Sequence, residues 1–210
     1  MEPMIDTPGL DLEISHWCEN RIFVGGVDEA GRGALAGPVV AACVVLPPSP
    51  QVKENLFGVR DSKTMTAAER AYWAGQIKQT AISWGVGMIE AAEIDHLGIQ
   101  RANQDAMALA MLHCPIKCEV YLLDFIHWKE KPSNAFRYKK GEQASLSIAA
   151  ASVIAKTTRD QIMVELGRVY QNYGFAQNKG YGTKQHRQAI MDFGITPIHR
   201  TSFTLTKCYQ

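Results

Sequence analysis

The sequence predicts an α/β fold in which helices flank a mixed sheet. Runs rich in β-branched residues come first, and helical segments then alternate with further strands. At 210 residues and 46% hydrophobic residues, the chain is long enough to build one sizeable core. We therefore expect a single domain over residues 21–210, preceded by a peripheral segment formed by residues 1–20.

The individual elements follow from local signals. Strands are predicted near 21–28, 37–46, 83–89 and 119–124. A loop covers 47–63, and Thr66 with Glu69 forms a capping-box pattern that begins a helix. Further helices are predicted over 91–112 and roughly 143–170. Thr183 is expected to cap a last helix that ends near Gly194.

Composition excludes several classes of protein. No run approaches the ~18 consecutive apolar residues of a membrane span, and the first residues lack the features of a signal peptide. The five cysteines are scattered and odd in number, which favours reduced thiols with packing roles. Cys114 and Cys118 have poor spacing for zinc, so no zinc site is predicted. We expect a cytoplasmic monomer without membrane contact.

Charge is unevenly distributed along the chain, although the net charge is only +1. Residues 1–125 hold 9 Lys and Arg against 16 Asp and Glu, whereas residues 126–210 hold 13 against 5. The C-terminal portion is therefore a candidate phosphate-binding face. Basic residues that merely cover solvated helix faces would give the same distribution.

Three carboxylates stand where apolar strands are predicted to end. Asp28 and Glu29 follow one strand and precede Gly31-Arg32-Gly33, and Asp124 ends another strand. Since sites of this fold class form outside strand ends, these acids can share a cation. Alone, the Asp-Glu pair could simply cap backbone amides in a hairpin, and an Asp such as Asp124 often forms a turn or caps a helix.

The run from Gly26 to Val39, which reads GVDEAGRGALAGPV, resembles the signature of the type 2 ribonucleases H, in particular bacterial ribonuclease HII. The resemblance continues to about residue 203 in separated blocks, which include 61–63, 152–156, 179–186 and 197–203. It implies a ribonuclease H-like fold with a helical C-terminal extension. No role for the 197–203 block follows from the sequence.

The resemblance implies a metal site formed by Asp28, Glu29, Asp124 and Glu142. Four carboxylates supply about the charge that two Mg²⁺ or Mn²⁺ ions require in phosphodiester hydrolysis. This chain departs from the family twice, with Glu142 where an Asp is usual and Phe125 where a Gly is common. A Glu at a helix start is also stabilised by the helix dipole alone. Because adjacent strand residues face opposite sides, the Glu29 side chain converges on the site only if the chain bends there, and its backbone carbonyl is the alternative ligand.

The resemblance also implies substrate contacts. Backbone groups of Gly31, Arg32 and Gly33 would approach a ribose and read its 2′-hydroxyl, and Tyr181 would pack on the neighbouring deoxyribose. Lys63 and Lys156 are candidate phosphate contacts. The glycines could instead serve only to turn the chain, Tyr181 could be a loop anchor, and most surface lysines have no specific role.

These residues predict an endonuclease that hydrolyses RNA in RNA/DNA hybrids. It would also cut 5′ to ribonucleotides embedded in duplex DNA, leaving 3′-hydroxyl and 5′-phosphate ends. One alternative is a hybrid-binding protein whose catalysis is impaired by Glu142 and Phe125. Another is a nuclease of the same fold that acts on DNA junctions, which the Gly-Arg-Gly loop disfavours.

Overall fold

The computed structural model describes residues 7–124 and 126–205. One mixed sheet has the strand order β3-β2-β1-β4-β5. Its strands are β1 (Val24–Ala30), β2 (Val39–Val45), β3 (Ser83–Ile89), β4 (Val120–Asp124) and β5 (Ala135–Tyr138). The predicted α/β class with a mixed sheet is confirmed.

The helices cover both faces of this sheet. They are α1 (Asp11–Cys18), α2 (Val52–Asn55), α3 (Ala67–Thr80), α4 (Ala91–Leu97), α5 (Ile99–Leu112), α6 (Gly141–Ala144), α7 (Leu146–Val169), α8 (Phe175–Asn178) and α9 (Lys184–Phe193). Short 3₁₀ helices lie at Ser62–Thr64 and Gln171–Tyr173. No helix among the residues described is long and apolar enough to cross a membrane.

Strand β2 shows how the two layers arise. All seven of its residues are buried, and successive side chains point to opposite faces. Ala42 and Val44 join the core formed with α3 and α7, whereas Ala41 and Cys43 join the core formed with α5. A strand covered on both faces loses the polar alternation of a half-exposed strand, which explains its continuous apolar run.

The register of the central strands positions the acids. Strand β1 is antiparallel to β2 and parallel to β4, and the last paired residues of β1 and β4 are Val27 and Leu123. Asp28 and Asp124 are the next residues of these two strands. Because parallel strands point the same way, both carboxylates lie at one edge of the sheet.

The predicted caps of two helices are confirmed. Thr66 and Glu69 form the capping box of α3, and Thr183 caps α9, which ends before Gly194 at φ 78°. The prediction of one continuous helix over 91–112 was wrong. The segment is divided into α4 and α5 at Gly98, whose φ of 78° is incompatible with a continuous right-handed helix.

Other elements were not predicted from the sequence. They are α1, the short α2, the 3₁₀ helices Ser62–Thr64 and Gln171–Tyr173, the edge strand β5, and α8. Helix α1 joins the core through Glu13, which is fully buried and accepts hydrogen bonds from Ser145 Oγ, Ser147 N and Ser147 Oγ. Phe125, one of the two departures from the family pattern, lies outside the described residues.

Candidate active site

Asp28 and Asp124 form the centre of the candidate site. Asp28 is only 4% exposed, and its Oδ1 accepts a hydrogen bond from the Glu29 amide at 2.8 Å. Asp124 Oδ1 accepts a hydrogen bond from Gly141 N at 2.8 Å. This contact attaches the end of β4 to α6, which carries Glu142. The structure places these two acids at the same end of neighbouring parallel strands, and their sharing of a cation stays a prediction.

The flanking acids have different surroundings. Glu29 lines the same cavity as Asp28, and its Oε1 lies 3.7 Å from Arg32 Nη1. Glu142 is buried, and both of its oxygens accept hydrogen bonds from Lys63 Nζ, at 3.1 and 3.3 Å. Glu142 is not among the residues lining that cavity. Lys63 therefore neutralises the acid that departs from the family pattern.

The acids affect each other's protonation. Burial raises the pKa of Asp28 well above its ordinary value, and the negative charges of Glu29, Asp124 and Glu142 raise it further. Burial also raises the pKa of Glu29 and of Glu142, although the Lys63 hydrogen bond opposes the shift at Glu142. A cation bound among these carboxylates would relieve both the burial penalty and the repulsion.

The donor set fits hard divalent cations, because it consists of carboxylate oxygens and leaves room for water. Among the described residues, no three carboxylates have ligand oxygens all within 4.8 Å of one another. The arrangement is therefore more open than a closed structural metal site.

The acids open onto a cavity of about 210 Å³ together with the predicted sugar-reading residues. Its lining comprises Asp28, Glu29, Ala30, Gly31, Arg32, Gly33, Ser62, Lys63, Asp124, Lys156 and Tyr181. Nine of the ten site residues predicted from the sequence are in this set, and Glu142 is the exception.

The two glycines of the Gly-Arg-Gly loop have different reasons to be glycine. Gly31 has a φ of 89°, and a Cβ there would collide with the side chain of buried Arg159. Its lack of a side chain is thus required by the fold. A Cβ added at Gly33 would meet no heavy atom of the described chain within 4 Å, so the fold itself leaves that space open. The fold itself thus requires glycine at Gly31 but not at Gly33, and close approach of a ligand stays a prediction for this loop.

Tyr181 and Lys156 also line this cavity. Lys156 Nζ and Arg159 Cζ are each 5.3 Å from the centroid of the Tyr181 ring. Lys156 Nζ is also 2.7 Å from Asp160 Oδ1. Both predicted phosphate-binding lysines thus already contact a carboxylate, Lys63 through Glu142 and Lys156 through Asp160. The ring of Tyr181 is therefore within cation–π distance of two cations at the cavity wall.

A wider groove of about 580 Å³ continues from this cavity through Lys156 and Tyr181. It lies between α3, α7 and the segment before Tyr181, and it includes Arg70, Lys179 and Asp160. Arg70 Nη2 lies 3.4 Å from Asp160 Oδ2, so Asp160 pairs with both a lysine and an arginine. The groove extends the candidate site beyond the size of a single nucleotide.

Asn103 is a residue of the site that the sequence analysis missed. It is fully buried on α5 beside Glu29, and neither amide atom has a partner of normal hydrogen-bond geometry within the described part of the chain. Its proximity opposes the rise in the pKa of Glu29. The available signal was a lone amide on a helix face otherwise formed by alanines and methionines.

Three cysteines converge in the core between the sheet and α5. The sulfurs of Cys43, Cys114 and Cys118 lie within 4.8 Å of one another, and all three residues are buried in the α5 core. Ser83 Oγ lies 3.1 Å from Cys114 Sγ. The residues described add no fourth His, Cys, Asp or Glu to this group. A packing role remains the prediction for these thiols.

The chain is similar to known proteins in both sequence and fold. The family model described as Ribonuclease HII matches residues 25–206. A protein named ribonuclease HII from Caldanaerobacter subterraneus subsp. tengcongensis is 45% identical over 88% of this chain and 75% of its own length.

Two solved structures share the fold. Ribonuclease H2 from Pyrococcus horikoshii OT3 has a TM-score of 0.73 and 24% identity, over 87% of this chain and 94% of its own. Bst-RNase HIII in complex with Mn²⁺ has a TM-score of 0.66 and 18% identity, over 89% of this chain and 68% of its own. The ribonuclease H-like fold expected from the sequence is confirmed.

Proposed function

The chain belongs to the ribonuclease HII family and is a ribonuclease H endonuclease that acts on nucleic acid, and from this premise we propose its substrates and chemistry. It hydrolyses RNA in RNA/DNA hybrids and cuts 5′ to ribonucleotides embedded in duplex DNA, leaving 3′-hydroxyl and 5′-phosphate ends. The observation that carries this proposal is the cavity that carboxylates share with the candidate sugar-reading residues. Cleavage chemistry and a test for the sugar would then act on the same nucleotide.

The enzyme depends on divalent metal, and we propose that Asp28, Glu29, Asp124 and Glu142 hold two ions, Mg²⁺ or Mn²⁺. The Mn²⁺ complex of Bst-RNase HIII supports this class of ion. Bound divalent ions supply hydroxide near neutral pH and offset charge on the phosphate and the leaving oxygen. Each Glu142 oxygen that accepts a hydrogen bond from Lys63 Nζ keeps a further lone pair, so Glu142 can join this set with or without that contact.

Substrate choice would come from the two sides of the cavity. On one side, the open space at Gly33 permits backbone groups of the Gly-Arg-Gly loop to approach a 2′-hydroxyl. On the other side, the Tyr181 ring offers a flat apolar surface to a deoxyribose. Lys156 beside that ring is suited to a phosphate contact. The enzyme would thus select an RNA–DNA junction instead of a base sequence.

Cleavage of an end-labelled DNA duplex containing one ribonucleotide tests this proposal. We expect incision 5′ to the ribonucleotide in Mg²⁺ or Mn²⁺, and we expect Asp28→Asn to abolish it. Asp192→Asn, which changes an exposed carboxylate on α9, is the matched control and should cut like the native protein. An all-DNA duplex should remain intact, and its cleavage would contradict the proposed sugar reading.

The same assay separates the impaired-protein alternative. If Glu142 and Phe125 had disarmed catalysis, the native protein would bind hybrid without cutting, and Glu142→Asp would restore cleavage. Under our proposal the native protein cuts, and Glu142→Asp only changes the rate or the metal preference.

We also propose that residues 21–210 form one catalytic domain, that the protein is a monomer, and that it acts in the cytoplasm. Light scattering during gel filtration measures the oligomeric state directly. A stable dimer would contradict the monomer.

A further inference from the structure

The C-terminal block 197–203, which matches the family without a derivable role, lies against both candidate recognition loops. We extend the name Gly-Arg-Gly loop to residues 31–37. Residues 178–183 are named the Tyr181 loop, and residues 196–203 are named the C-terminal strap. The backbone of Leu35 donates a hydrogen bond to Gly180 O at 2.8 Å, which joins the two loops.

The strap is attached to the Gly-Arg-Gly loop by its backbone. Gly37 N donates to Ile198 O, and Arg200 N donates to Leu35 O, each at 2.8 Å. Ala36 and His199 form an isolated antiparallel bridge. The strap is therefore part of the framework that supports the loops.

Two buried histidines connect the strap to the Tyr181 loop. Thr196 N donates to His199 Nδ1 at 2.9 Å, so a neutral His199 carries its proton on Nε2. His186 Nδ1 lies 3.0 Å from the Tyr181 carbonyl oxygen. Because a carbonyl only accepts, His186 carries its proton on Nδ1 and its Nε2 is an acceptor.

The two Nε2 atoms lie 3.1 Å apart. The outer contacts therefore assign opposite tautomers, and these tautomers complete one hydrogen bond from His199 to His186. The resulting relay runs from Thr196 N–H through both rings to the Tyr181 carbonyl. Both histidines are almost completely buried and pack against Tyr173 and Phe175, so the relay is shielded from water.

Arg200 makes the corresponding connection to the Gly-Arg-Gly loop. It is fully buried, and its Nε and Nη2 donate to Gly37 O at 3.0 and 2.8 Å. Its Nη1 donates to the Arg32 carbonyl at 3.0 Å. The strap thus binds carbonyl oxygens of the Gly-Arg-Gly loop directly, including that of Arg32, and it reaches the Tyr181 carbonyl through His186.

We propose that His186, His199 and Arg200 are positioning residues that set sugar discrimination by fixing the Tyr181 loop relative to the Gly-Arg-Gly loop. The proposal rests on the proposed function of those loops. None of the three residues lines the cavity, so they act through Tyr181 and Arg32. Loss of the relay should weaken junction selection more than it weakens hydrolysis of a uniform hybrid.

The tautomers are tested by ¹⁵N–¹H correlation spectra of the imidazole rings at neutral pH. We expect His199 protonated on Nε2 and His186 protonated on Nδ1. The same tautomer in both rings would overturn the relay, since two donors or two acceptors would then face each other.

The positioning role is tested by the ratio of kcat/KM on the single-ribonucleotide duplex to kcat/KM on a uniform RNA/DNA hybrid. His186→Leu removes the donor to Tyr181 O, and we expect this ratio to fall about tenfold, the effect of one lost hydrogen bond. His186→Asn places an amide donor near the Nδ1 position and should keep the ratio within about threefold. Equal ratios for the two variants would reduce His186 to a packing residue and overturn the proposal.

His113→Leu is the matched control. His113 Nδ1 also lies 2.7 Å from a backbone carbonyl, that of Val86, but on β3 and outside both loops. Its ratio should equal that of the native protein, and a comparable fall would show that loss of any such contact has this effect, against the proposal.

A second variant keeps the test decisive if His186→Leu does not fold. Asp95 accepts hydrogen bonds from Thr201 and Ser202 and so fastens the far end of the strap. Asp95→Ala releases that end without altering the buried rings, and we expect a smaller fall in the same ratio. An unchanged ratio in every variant that folds, together with a fall in Tyr181→Ala, would refute the positioning role alone. A native protein without junction preference would instead refute the proposed function.

Discussion

The molecule buries charge in two neighbouring regions with opposite consequences. At the ends of β1 and β4, Asp28 and Glu142 are buried near further carboxylates, and the pKa of each is raised. Beneath the recognition loops, Arg159 and Arg200 are fully buried, and backbone carbonyls accept hydrogen bonds from all three nitrogens of each guanidinium group. The acids repel one another, whereas the arginines are satisfied by the chain itself.

The acidic site thus still needs positive charge to offset the repulsion among its carboxylates. Each buried arginine, in contrast, already has its hydrogen-bond partners within the chain. A buried charge without a compensating partner is destabilising, and a bound cation would remove that penalty at the acids. Burial lowers the pKa of Arg200 to about 9, which still leaves it protonated at neutral pH. Its charged guanidinium group donates hydrogen bonds to backbone carbonyl oxygens. The basic C-terminal half predicted as a phosphate-binding face therefore uses two of its arginines for internal architecture.

The largest expected effect is on cleavage by Asp28→Asn. Loss of a central carboxylate should reduce kcat at least about 1000-fold, since metal-assisted charge stabilisation contributes several kcal/mol. In metal-free protein the same variant removes repulsion, so its free energy of unfolding should equal or exceed the native value. Urea denaturation in EDTA measures this, and a large destabilisation would show that the acids are structural.

Arg159→Met should lower the free energy of unfolding, in contrast to Asp28→Asn. It leaves the carbonyls of Ala36, Pro38 and Lys179 buried without their donor, and we expect unfolding free energy to fall by about 3 kcal/mol or more. Arg168→Met is the control, because Arg168 is exposed and pairs only with Glu165 among the described residues, and its effect should stay below about 1 kcal/mol. Similar urea midpoints for the two variants would contradict a framework role.

The histidine relay predicts a pH dependence of stability. Burial and the neighbouring His186 lower the pKa of His199 from 6.5 to about 4. The unfolded chain therefore binds a proton that the folded chain excludes. Stability from this group is present above about pH 6.5 and is lost as pH falls toward 4. Between pH 7 and pH 5 the loss should be about 2 kcal/mol.

This dependence is measured by urea denaturation of native protein and His199→Gln at both pH values. Because groups remote from the relay titrate equally in both proteins, the difference reports on His199 and its coupling to His186. The native protein should lose more stability than the variant on acidification. Parallel losses would show that His199 does not titrate as described.

The smallest expected effect on stability is that of Gly33→Ala. Nothing in the described fold lies within 4 Å of the added Cβ, so unfolding free energy should change by less than about 1 kcal/mol. Cleavage of the single-ribonucleotide duplex should nevertheless fall, because the methyl group enters the space proposed for ribose. Gly31→Ala is the contrasting variant and should unfold the loop, since its Cβ would meet Arg159. Unimpaired cleavage by Gly33→Ala would place the ribose elsewhere.

The sequence by itself determined what depends on local signals. The cap of α3 at Thr66, the end of α9 at Gly194 and the apolar strands that carry Asp28 and Asp124 were all predicted, because capping and strand burial act over a few residues. The family and its fold also followed, since the resemblance runs through blocks spread along the chain.

Only the tertiary structure decided the contacts that span the chain. Asn103 beside Glu29, the third thiol at Cys43 and the relay from the strap to Tyr181 join residues whose sequence neighbours carry no sign of the partner. Such contacts depend on strand register and helix packing. The physical reason is that the position of a residue within its own helix or strand determines only the face to which its side chain points. The partner that the side chain meets depends on which other element packs against that face.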